Sequence, residues 1–213
     1  MADEKIKVLL VDDHVVVRNG LSLMLGSSPD IEVAGEASTA DEARTMVQAN
    51  EYDVVLMDIG LPDKNGLELL KLVKADKPTL AVLMFSMYAE EIYAVRALKL
   101  GAAGYLTKNS PVDVVLAAVR KAASGGKYVS PALTEQLAGM VGRPHMQSHH
   151  ALSNRELEVL RLIAGGESLI SIGQRLHLSP STVTTYRSRI LEKMGLGSNA
   201  ELARYALENG LLV

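Results

Sequence analysis

Hydrophobic and polar positions follow two alternating periods over the first 124 residues. Short apolar runs predict buried strands at 6–11, 31–36, 53–57, 80–85 and 104–106. Amphipathic stretches predict helices between and after them, near 14–26, 40–49, 65–74, 89–100 and 111–124. The last of these helices is expected to begin with Ser110 as its N-cap and Pro111 in its first turn. Strict alternation of strand and helix predicts an α/β domain, in which a parallel sheet carries helices on both faces.

The strand pattern ends after Gly126, and a linker over 125–151 with one short helix from Ser130 to Met140 is predicted next. Within it, the segment 142–150 is polar and without periodicity, which indicates a connecting loop. The histidines of that segment are candidate metal ligands. Nothing nearby completes a coordination set, so we interpret His145, His149 and His150 as linker residues.

Residues 152–213 are predicted to be entirely helical. Four helices are expected, over 153–164, 168–176, 179–194 and 199–209, and the first begins with a capping box formed by Ser153 and Glu156. The second and third are joined by the tight turn 177–179, as in a helix-turn-helix. The chain is therefore predicted to be α/β plus all-α, with one domain at 1–124 and a second at 152–213.

Composition and charge add limits to this picture. Of the 213 residues 48% are apolar, enough for packed cores, and the absence of cysteine excludes disulfides and thiol chemistry. No apolar run is long enough to span a membrane and no signal peptide precedes the first strand, so we expect a cytoplasmic protein without a membrane partner. The charge balance is −4 over 1–130 (14 Lys+Arg against 18 Asp+Glu) and +1 over 131–213 (8 against 7), which favours the C-terminal part for an anionic partner.

Three carboxylates directly follow predicted strands. Asp12 and Asp13 close the first strand, and Asp58 closes the third. The carboxyl ends of parallel strands meet at one edge of the sheet, where open α/β sheets bind their ligands. Clustered carboxylates repel one another and usually need a cation, and oxygen ligands suit Mg²⁺. We therefore expect a Mg²⁺ site at this edge.

Two more strand ends give this site a chemistry. Ser86 ends the fourth strand, and Lys108 lies just past the fifth. A carboxylate can accept a phosphoryl group as an acyl phosphate, and cations stabilise the charge of the transferring group. We therefore predict that Asp58 is the phosphoacceptor and that Lys108 and Ser86 meet the phosphoryl oxygens.

These residues resemble the receiver domain of two-component response regulators. The matching segments are VDDH at 11–14, LMDIGLP at 56–62, Gly66, Ser86 and GYLTK at 104–108, and residues 152–213 are similar to the LuxR-type helix-turn-helix of the NarL/FixJ family. The resemblance implies a doubly wound five-stranded sheet of order 2-1-3-4-5 and phosphorylation of Asp58 by a sensor histidine kinase. It also implies that the Gly60 carbonyl joins Asp12, Asp13 and Asp58 around Mg²⁺, and that Ser86 and Tyr105 are switch residues. Pro62 and Gly66 are interpreted as residues that only shape the loop.

The helix expected at 180–194 is the candidate recognition helix, to be placed in the major groove of promoter DNA. Candidates for contact with base edges are Thr184, Thr185 and Ser188, with Arg187 close by. Arg189 and Lys193 are candidates for contact with phosphates, and Ser181 and Thr182 complete the DNA-binding set. The chain departs from the common family pattern, which places lysine, histidine and alanine where this sequence has Thr184, Tyr186 and Gly173.

The last predicted helix carries an apolar side formed by Leu202, Tyr205 and Ala206. The resemblance implies that this helix dimerises, and packing in the core of the same domain is the alternative. A dimer would read inverted half-sites in DNA.

Together these features support the hypothesis that phosphorylation of Asp58 controls homodimerisation, DNA binding and transcription. In that hypothesis the unphosphorylated receiver covers the recognition helix, and Tyr105 turns inward upon phosphorylation. A phosphorylation-independent regulator is an alternative, which the intact Asp58 and Lys108 argue against. A phosphohydrolase is disfavoured, because such enzymes carry a second aspartate where this chain has Gly60. We therefore predict no enzymatic activity beyond loss of the chain's own phosphate by hydrolysis.

Overall fold

The computed structural model describes residues 5–140 and 149–212. These residues divide into two compact units between Ala138 and Gly139. The predicted loop residues 142–148, His145 among them, lie outside the described residues. In the two described ranges, no helix is both long and apolar enough to cross a membrane.

The N-terminal unit is built on one parallel sheet. The strand order is β2-β1-β3-β4-β5, as the resemblance implied. The strands are β1 (Ile6–Val11), β2 (Ile31–Ala37), β3 (Val54–Met57), β4 (Ala81–Ser86) and β5 (Gly104–Thr107). The helices are α1 (Val15–Gly26), α2 (Ala40–Ala49), α3 (Gly66–Asp76), α4 (Glu90–Lys99), α5 (Val112–Ala123) and α6 (Pro131–Met140).

Helices cover both faces of this sheet, and β3 and β4 are accordingly buried at every position. On one face, Leu21 and Leu25 of α1 and Val115 and Val119 of α5 pack against the sheet. Each such side chain contributes about 1.5–3 kcal/mol by leaving water. Of the remaining helices, α2 packs against β2, and α4 packs against β5. This packing fixes the strand ends, which carry the polar residues of the site.

The start of α5 differs from the prediction. Its N-cap is Pro111, which has no side-chain acceptor, and no side-chain hydrogen bond caps this helix. Ser110 instead belongs to the preceding turn: its amide donates to the carbonyl of Thr107, and its hydroxyl lies 3.3 Å from the hydroxyl of Thr107. The capping role predicted for Ser110 is therefore wrong.

After α5 the chain returns along the edge of the sheet. Tyr128 forms a parallel bridge with Gly104, and its amide donates to the carbonyl of Ala103 at 2.7 Å. Ser130 then accepts a hydrogen bond from the amide of Leu133 at the start of α6, and its hydroxyl donates to the carboxylate of Glu90 at 2.9 Å. Residues 127–130, predicted as linker, thus pack against β5 and the first turn of α4.

The C-terminal unit contains a short 3₁₀ turn (His149–Ala151) and four helices, α7 (Asn154–Ala164), α8 (Leu169–Leu176), α9 (Pro180–Met194) and α10 (Asn199–Glu208). Helix α7 contacts each of the other three. A serine side chain caps the N-terminus of every one of these four helices, a contribution of about 1 kcal/mol each. The capping serines are Ser153, Ser168, Ser179 and Ser198.

The turn between α8 and α9 is tight enough to explain one departure from the family pattern. His177 adopts the left-handed conformation, with φ of 53°, and the amide of Leu178 donates to the carbonyl of Gly173 at 2.8 Å. A Cβ on Gly173 would lie 2.8 Å from the carbonyl oxygen of Leu178, closer than side chains pack. The turn therefore makes use of the glycine, although glycine costs a helix about 1 kcal/mol.

Candidate phosphoacceptor site and DNA-binding surface

The ends of β1, β3 and β5 bring two carboxylates and one ammonium group into contact. Nζ of Lys108 lies 2.6 Å from Oδ2 of Asp12 and 2.8 Å from Oδ2 of Asp58. All three side chains are nearly buried, with 8%, 3% and 5% of their surface exposed respectively. Burial alone would lower the pKa of Lys108, but its hydrogen bonds with the two carboxylates raise that pKa above the ordinary value. Lys108 is therefore a permanent cation at neutral pH.

The two oxygens of Asp58 have different surroundings. Oδ1 accepts hydrogen bonds from the Ser86 hydroxyl and from the amide of Ile59, each at 2.6 Å. Oδ2 lies beside the Lys108 ammonium. It is also close to Gly60, where an added Cβ would lie 3.8 Å from Oδ2. The bonds to Oδ1 thus hold the carboxylate in place, while Oδ2 faces the Lys108 ammonium.

Asp12, Asp13 and Asp58 meet the requirements of a cation site. Together with His14 they offer ligand atoms that all lie within 4.8 Å of one another. Among the described residues, the buried Oδ1 of Asp13 accepts no hydrogen bond, although it lies 2.7 Å from Nδ1 of His14. The buried Oδ2 of Asp12 is paired with the Lys108 ammonium. Buried oxygens with unused acceptor capacity and a concentration of negative charge suit a hard divalent ion. The donor set therefore fits Mg²⁺.

Tyr105 lies inside the N-terminal unit and not at its surface. The residue is 1% exposed, and its hydroxyl donates to the backbone carbonyl of Tyr88 at 2.7 Å. Burial, with Tyr93 and Asp58 nearby, raises the pKa of Tyr105 well above its ordinary value. The ring of Tyr88 stacks on that of Tyr93, with centroids 5.1 Å apart. The inward position that the hypothesis assigned to the phosphorylated state is the one seen in this structure.

Gly66 shapes the loop after β3, as predicted from the sequence. Its amide donates to the carbonyl of Ile59 at 2.8 Å, and a Cβ at this position would collide with the backbone carbonyl of Asp58. The loop after β3 therefore closes directly over the backbone of the phosphoacceptor candidate. The sequence predicts a loop-shaping role for this glycine, but its close approach to Asp58 depends on tertiary structure.

The first turns of α9 present an exposed row of hydroxyl groups. Thr184, Thr185 and Ser188 are exposed, and each hydroxyl donates to the carbonyl four residues earlier in the helix. Their oxygens remain free to accept hydrogen bonds from base edges. Ser181 and Arg189 are also exposed on this helix, while Thr182 is half-buried.

Two cationic residues of the predicted DNA-binding set are engaged within the C-terminal unit. Lys193 donates to both carboxylate oxygens of Glu156, at 2.9 and 2.7 Å, and the side chain of Glu156 is only 4% exposed. Because Glu156 also belongs to the capping box of α7, this pair joins α7 to α9. Arg187 is half-buried and donates to the side chain of Asn199 at 2.6 Å. Lys193 thus takes part in an ion pair within the unit, and its contact with DNA phosphates stays a prediction.

Two of the three residues proposed for dimerisation lie in the core of the C-terminal unit. Leu202 and Ala206 are fully buried where α10 packs on α7. The Tyr205 hydroxyl accepts a hydrogen bond from the amide of His149 at 3.3 Å and lies 3.0 Å from Nδ1 of the same residue. Leu202 and Ala206 thus pack within their own domain, as the alternative expected, and are not available to a partner. Tyr205 is half-buried, and its dimer role stays a prediction.

Comparison with known proteins bears on both units. Residues 8–120 match the response regulator receiver domain, and residues 150–206 match the luxR family of bacterial regulatory proteins. The chain is a response regulator of the NarL/FixJ family. Its homologues are DNA-binding response regulators and not enzymes in the usual sense.

The similarity of this response regulator to its relatives extends over the full length. It is 36% identical to the response regulator GacA of Pseudomonas aeruginosa over 209 residues, covering 97% of this chain and 98% of that protein. It is 35% identical to the response regulator UvrY of Escherichia coli K12, covering 97% and 95%.

Solved structures show the same fold. The response regulator ChrA of a heme-sensing two-component system is 32% identical, with a TM-score of 0.54 over 97% of this chain and 98% of that one. RcsB of Salmonella enterica serovar Typhimurium, bound to a promoter with the phosphomimetic BeF₃⁻, is 26% identical, with a TM-score of 0.71 over 95% and 98%.

Proposed function

We propose that this response regulator accepts a phosphoryl group on Oδ2 of Asp58 from the phosphohistidine of a sensor kinase. The carboxylate oxygen attacks phosphorus, a P–O bond forms, and the P–N bond to the kinase histidine breaks. The observation that carries the proposal is the asymmetry of Asp58: Oδ1 is held by Ser86 and Ile59, while Oδ2 lies 2.8 Å from the Lys108 ammonium. A fixed nucleophile beside a permanent cation is what phosphoryl transfer requires.

Asp12, Asp13 and Asp58, with the carbonyl of Gly60, are proposed to hold Mg²⁺. When bound, this ion supplies positive charge to the oxygens of the transferring group. The carboxylates of Asp12 and Asp13 otherwise repel an incoming phosphoryl group, so the ion also removes an electrostatic obstacle. Hydrolysis of the acyl phosphate by water returns the protein to its initial state without turnover of an external substrate.

Phosphorylation is proposed to act through Ser86 and Lys108. The phosphoryl group adds about 1.5–2 negative charges, and its oxygens extend beyond Oδ2 of Asp58. Charge-assisted hydrogen bonds are stronger than neutral ones, so the Ser86 hydroxyl and the Lys108 ammonium turn towards the phosphoryl oxygens. A shift of Ser86 changes the surroundings of the buried Tyr105 ring, and we propose that the backbone of Tyr88, held by the Tyr105 hydroxyl, moves with it. To shift two conformational states from 1:99 to 99:1, phosphorylation must stabilise the favoured state by about 5.5 kcal/mol more than the other.

The output is proposed to be binding of promoter DNA by a homodimer, with α9 in the major groove. RcsB, which shares the fold, is bound to a promoter in the presence of a phosphomimetic. In this chain Ser181, Thr184, Thr185 and Ser188 offer hydroxyl oxygens to base edges, and Arg189 offers a cation to phosphates. We propose that residues 1–124 carry phosphoacceptance, together with the sheet-edge residues 127–130 that pack on them, and that residues 152–213 carry DNA binding. We also propose a location in the cytoplasm, where the kinase and DNA are both accessible.

The test is DNA binding by the full chain with and without BeF₃⁻ plus Mg²⁺, together with the fraction of dimer. We expect tighter binding and more dimer with the phosphomimetic, and no change in an Asp58→Asn variant, which keeps the shape but loses the nucleophile. Equal DNA affinity with and without the mimic would instead favour a phosphorylation-independent regulator. Steady release of phosphate from an added phosphomonoester would favour a phosphohydrolase.

A further inference from the structure

His14 lies at the mouth of the acidic pocket and faces its carboxylates. Nδ1 of His14 is 2.7 Å from Oδ1 of Asp13 and 3.2 Å from Oδ1 of Asp12. The backbone amide of His14 donates to the same Asp12 oxygen at 2.9 Å. This hydrogen bond holds the backbone of His14 in place beside the carboxylate. With 63% of its side chain exposed, the ring is held by these polar contacts and not by packing.

The spacing of these atoms matches that of ligands sharing one metal ion. Neighbouring ligands in an octahedral site with bonds of about 2.1 Å lie about 3.0 Å apart, and opposite ones about 4.2 Å apart. The two distances from Nδ1, 2.7 and 3.2 Å, bracket the value for neighbours. All four candidate ligand atoms lie within 4.8 Å of one another, so the most distant pair needs to approach by at most about 0.6 Å to reach such a geometry.

A second observation also points to a cation at this position. Oδ1 of Asp13 is a buried oxygen that accepts no hydrogen bond among the described residues, and it is the carboxylate atom nearest to Nδ1 of His14. Oδ2 of Asp12, which is nearly buried, is paired with the Lys108 ammonium at 2.6 Å. Oδ1 of Asp13 is therefore the acceptor that can bind a cation without losing an existing hydrogen bond.

We propose that His14 is a fourth protein ligand of this pocket, which therefore takes borderline divalent ions such as Co²⁺, Ni²⁺ and Zn²⁺ in competition with Mg²⁺. Imidazole nitrogen suits these ions, whereas Mg²⁺ prefers oxygen and retains its waters. Coordination uses the lone pair of Nδ1, and the neutral ring then carries its proton on Nε2. The inference rests on the proposed function, because the ion would occupy the site assigned to Mg²⁺.

The test uses Co²⁺ as the probe and the full chain. A paramagnetic Co²⁺ ion shifts the resonance of the Nε2 proton of a coordinated imidazole far outside the normal proton spectrum, and this signal disappears in D₂O. We expect one such signal in the wild-type protein, its loss in His14→Phe and Asp13→Asn, and its disappearance when excess Mg²⁺ displaces Co²⁺. His177→Asn is the matched control: it removes an exposed histidine of the other unit, at a left-handed position that asparagine tolerates.

Affinity gives a second readout. Calorimetric titration should show that His14→Phe weakens Co²⁺ and Zn²⁺ relative to Mg²⁺ by at least the roughly tenfold that loss of a supporting contact costs a metal site. Co²⁺ that Mg²⁺ displaces but that gives no His14-dependent signal would overturn the inference and leave the Mg²⁺ site intact. A signal that persists in His14→Phe would place the ion on other histidines and would also overturn it. Failure of the wild-type protein to bind Mg²⁺ would instead refute the metal site of the proposed function.

Discussion

Replacing Lys108 by methionine removes the ammonium that lies between the carboxylates of Asp12 and Asp58. Methionine keeps most of the volume of the side chain, so the change is mainly one of charge. Removing one partner of a buried ion pair costs about 3–5 kcal/mol. Because Asp13, with one third of its side chain exposed, opens the pocket to water, we expect the lower end of that range, about 3 kcal/mol. This corresponds to a fall in melting temperature of roughly 10 °C.

Mg²⁺ is expected to reverse much of this loss. At 100 times its dissociation constant a ligand stabilises the folded state by about 2.7 kcal/mol. In the variant the ion no longer competes with Lys108 for Asp12 and Asp58, so it should bind more tightly than in the wild-type protein.

The assay is thermal unfolding of the full chain in EDTA and in Mg²⁺, with hydrogen exchange in β1 and β3 to assign the transition to the N-terminal unit. Lys64→Met is the control, because Lys64 forms an exposed ion pair with Asp41 at 3.4 Å, and such pairs contribute about 0–1 kcal/mol. The reasoning is refuted if Lys108→Met in EDTA unfolds within 2 °C of the wild-type protein, or if Mg²⁺ stabilises both proteins equally.

Three further predictions concern Gly66, Lys193 and Arg189. Gly66→Ala forces a Cβ against the backbone of Asp58, so denaturant unfolding should show a loss of about 1–3 kcal/mol, and phosphorylation by a donor should be slower. Lys193→Met should cost about 1–2 kcal/mol at pH 7, a discounted value because Lys193 is 43% exposed. Burial opposes ionisation of Glu156, but its bonds to Lys193 and Ser153 lower its pKa. Its contribution is therefore present above about pH 4.3 and is lost as the pH falls through the lowered pKa, so the two proteins should converge in stability in acid. Arg189→Ala should reduce the log–log salt dependence of DNA binding by about 0.9, and an unchanged slope would remove Arg189 from the phosphate contacts.

The strands and the residues at their ends could be read from the sequence because burial on both faces leaves a simple signature. The run Val54–Met57 is apolar at every position and stops at Asp58, and the last four residues of β1 are likewise apolar and stop at Asp12. Once the sheet is parallel, its topology brings these ends together whatever the details of packing. This is why the sequence alone predicts that Asp12, Asp58 and Lys108 lie close together.

Contacts between side chains of different helices or strands could not be predicted from the sequence in the same way. The helical spacing of Leu202 and Ala206 shows that one face is buried, but not whether the covering surface belongs to the same chain. Lys193 looks like a surface cation on α9, and only the fold brings it to Glu156, 37 residues earlier in the chain. The inward position of Tyr105 likewise depends on its contact with the backbone of Tyr88.

The return of the chain along β5 determines where this protein can be divided for experiments. A fragment that stops at residue 124 would lack Tyr128, whose amide donates a hydrogen bond to the carbonyl of Ala103. It would also lack Ser130, whose hydroxyl donates a hydrogen bond to Glu90. The edge of the sheet at β5 would lose its contact with Tyr128, and the Glu90 carboxylate in the first turn of α4 would lose its hydrogen bond from Ser130. A fragment that continues to Ala138 retains both contacts, and signalling measured on the shorter one would report a truncation artefact in the very helix that follows Ser86.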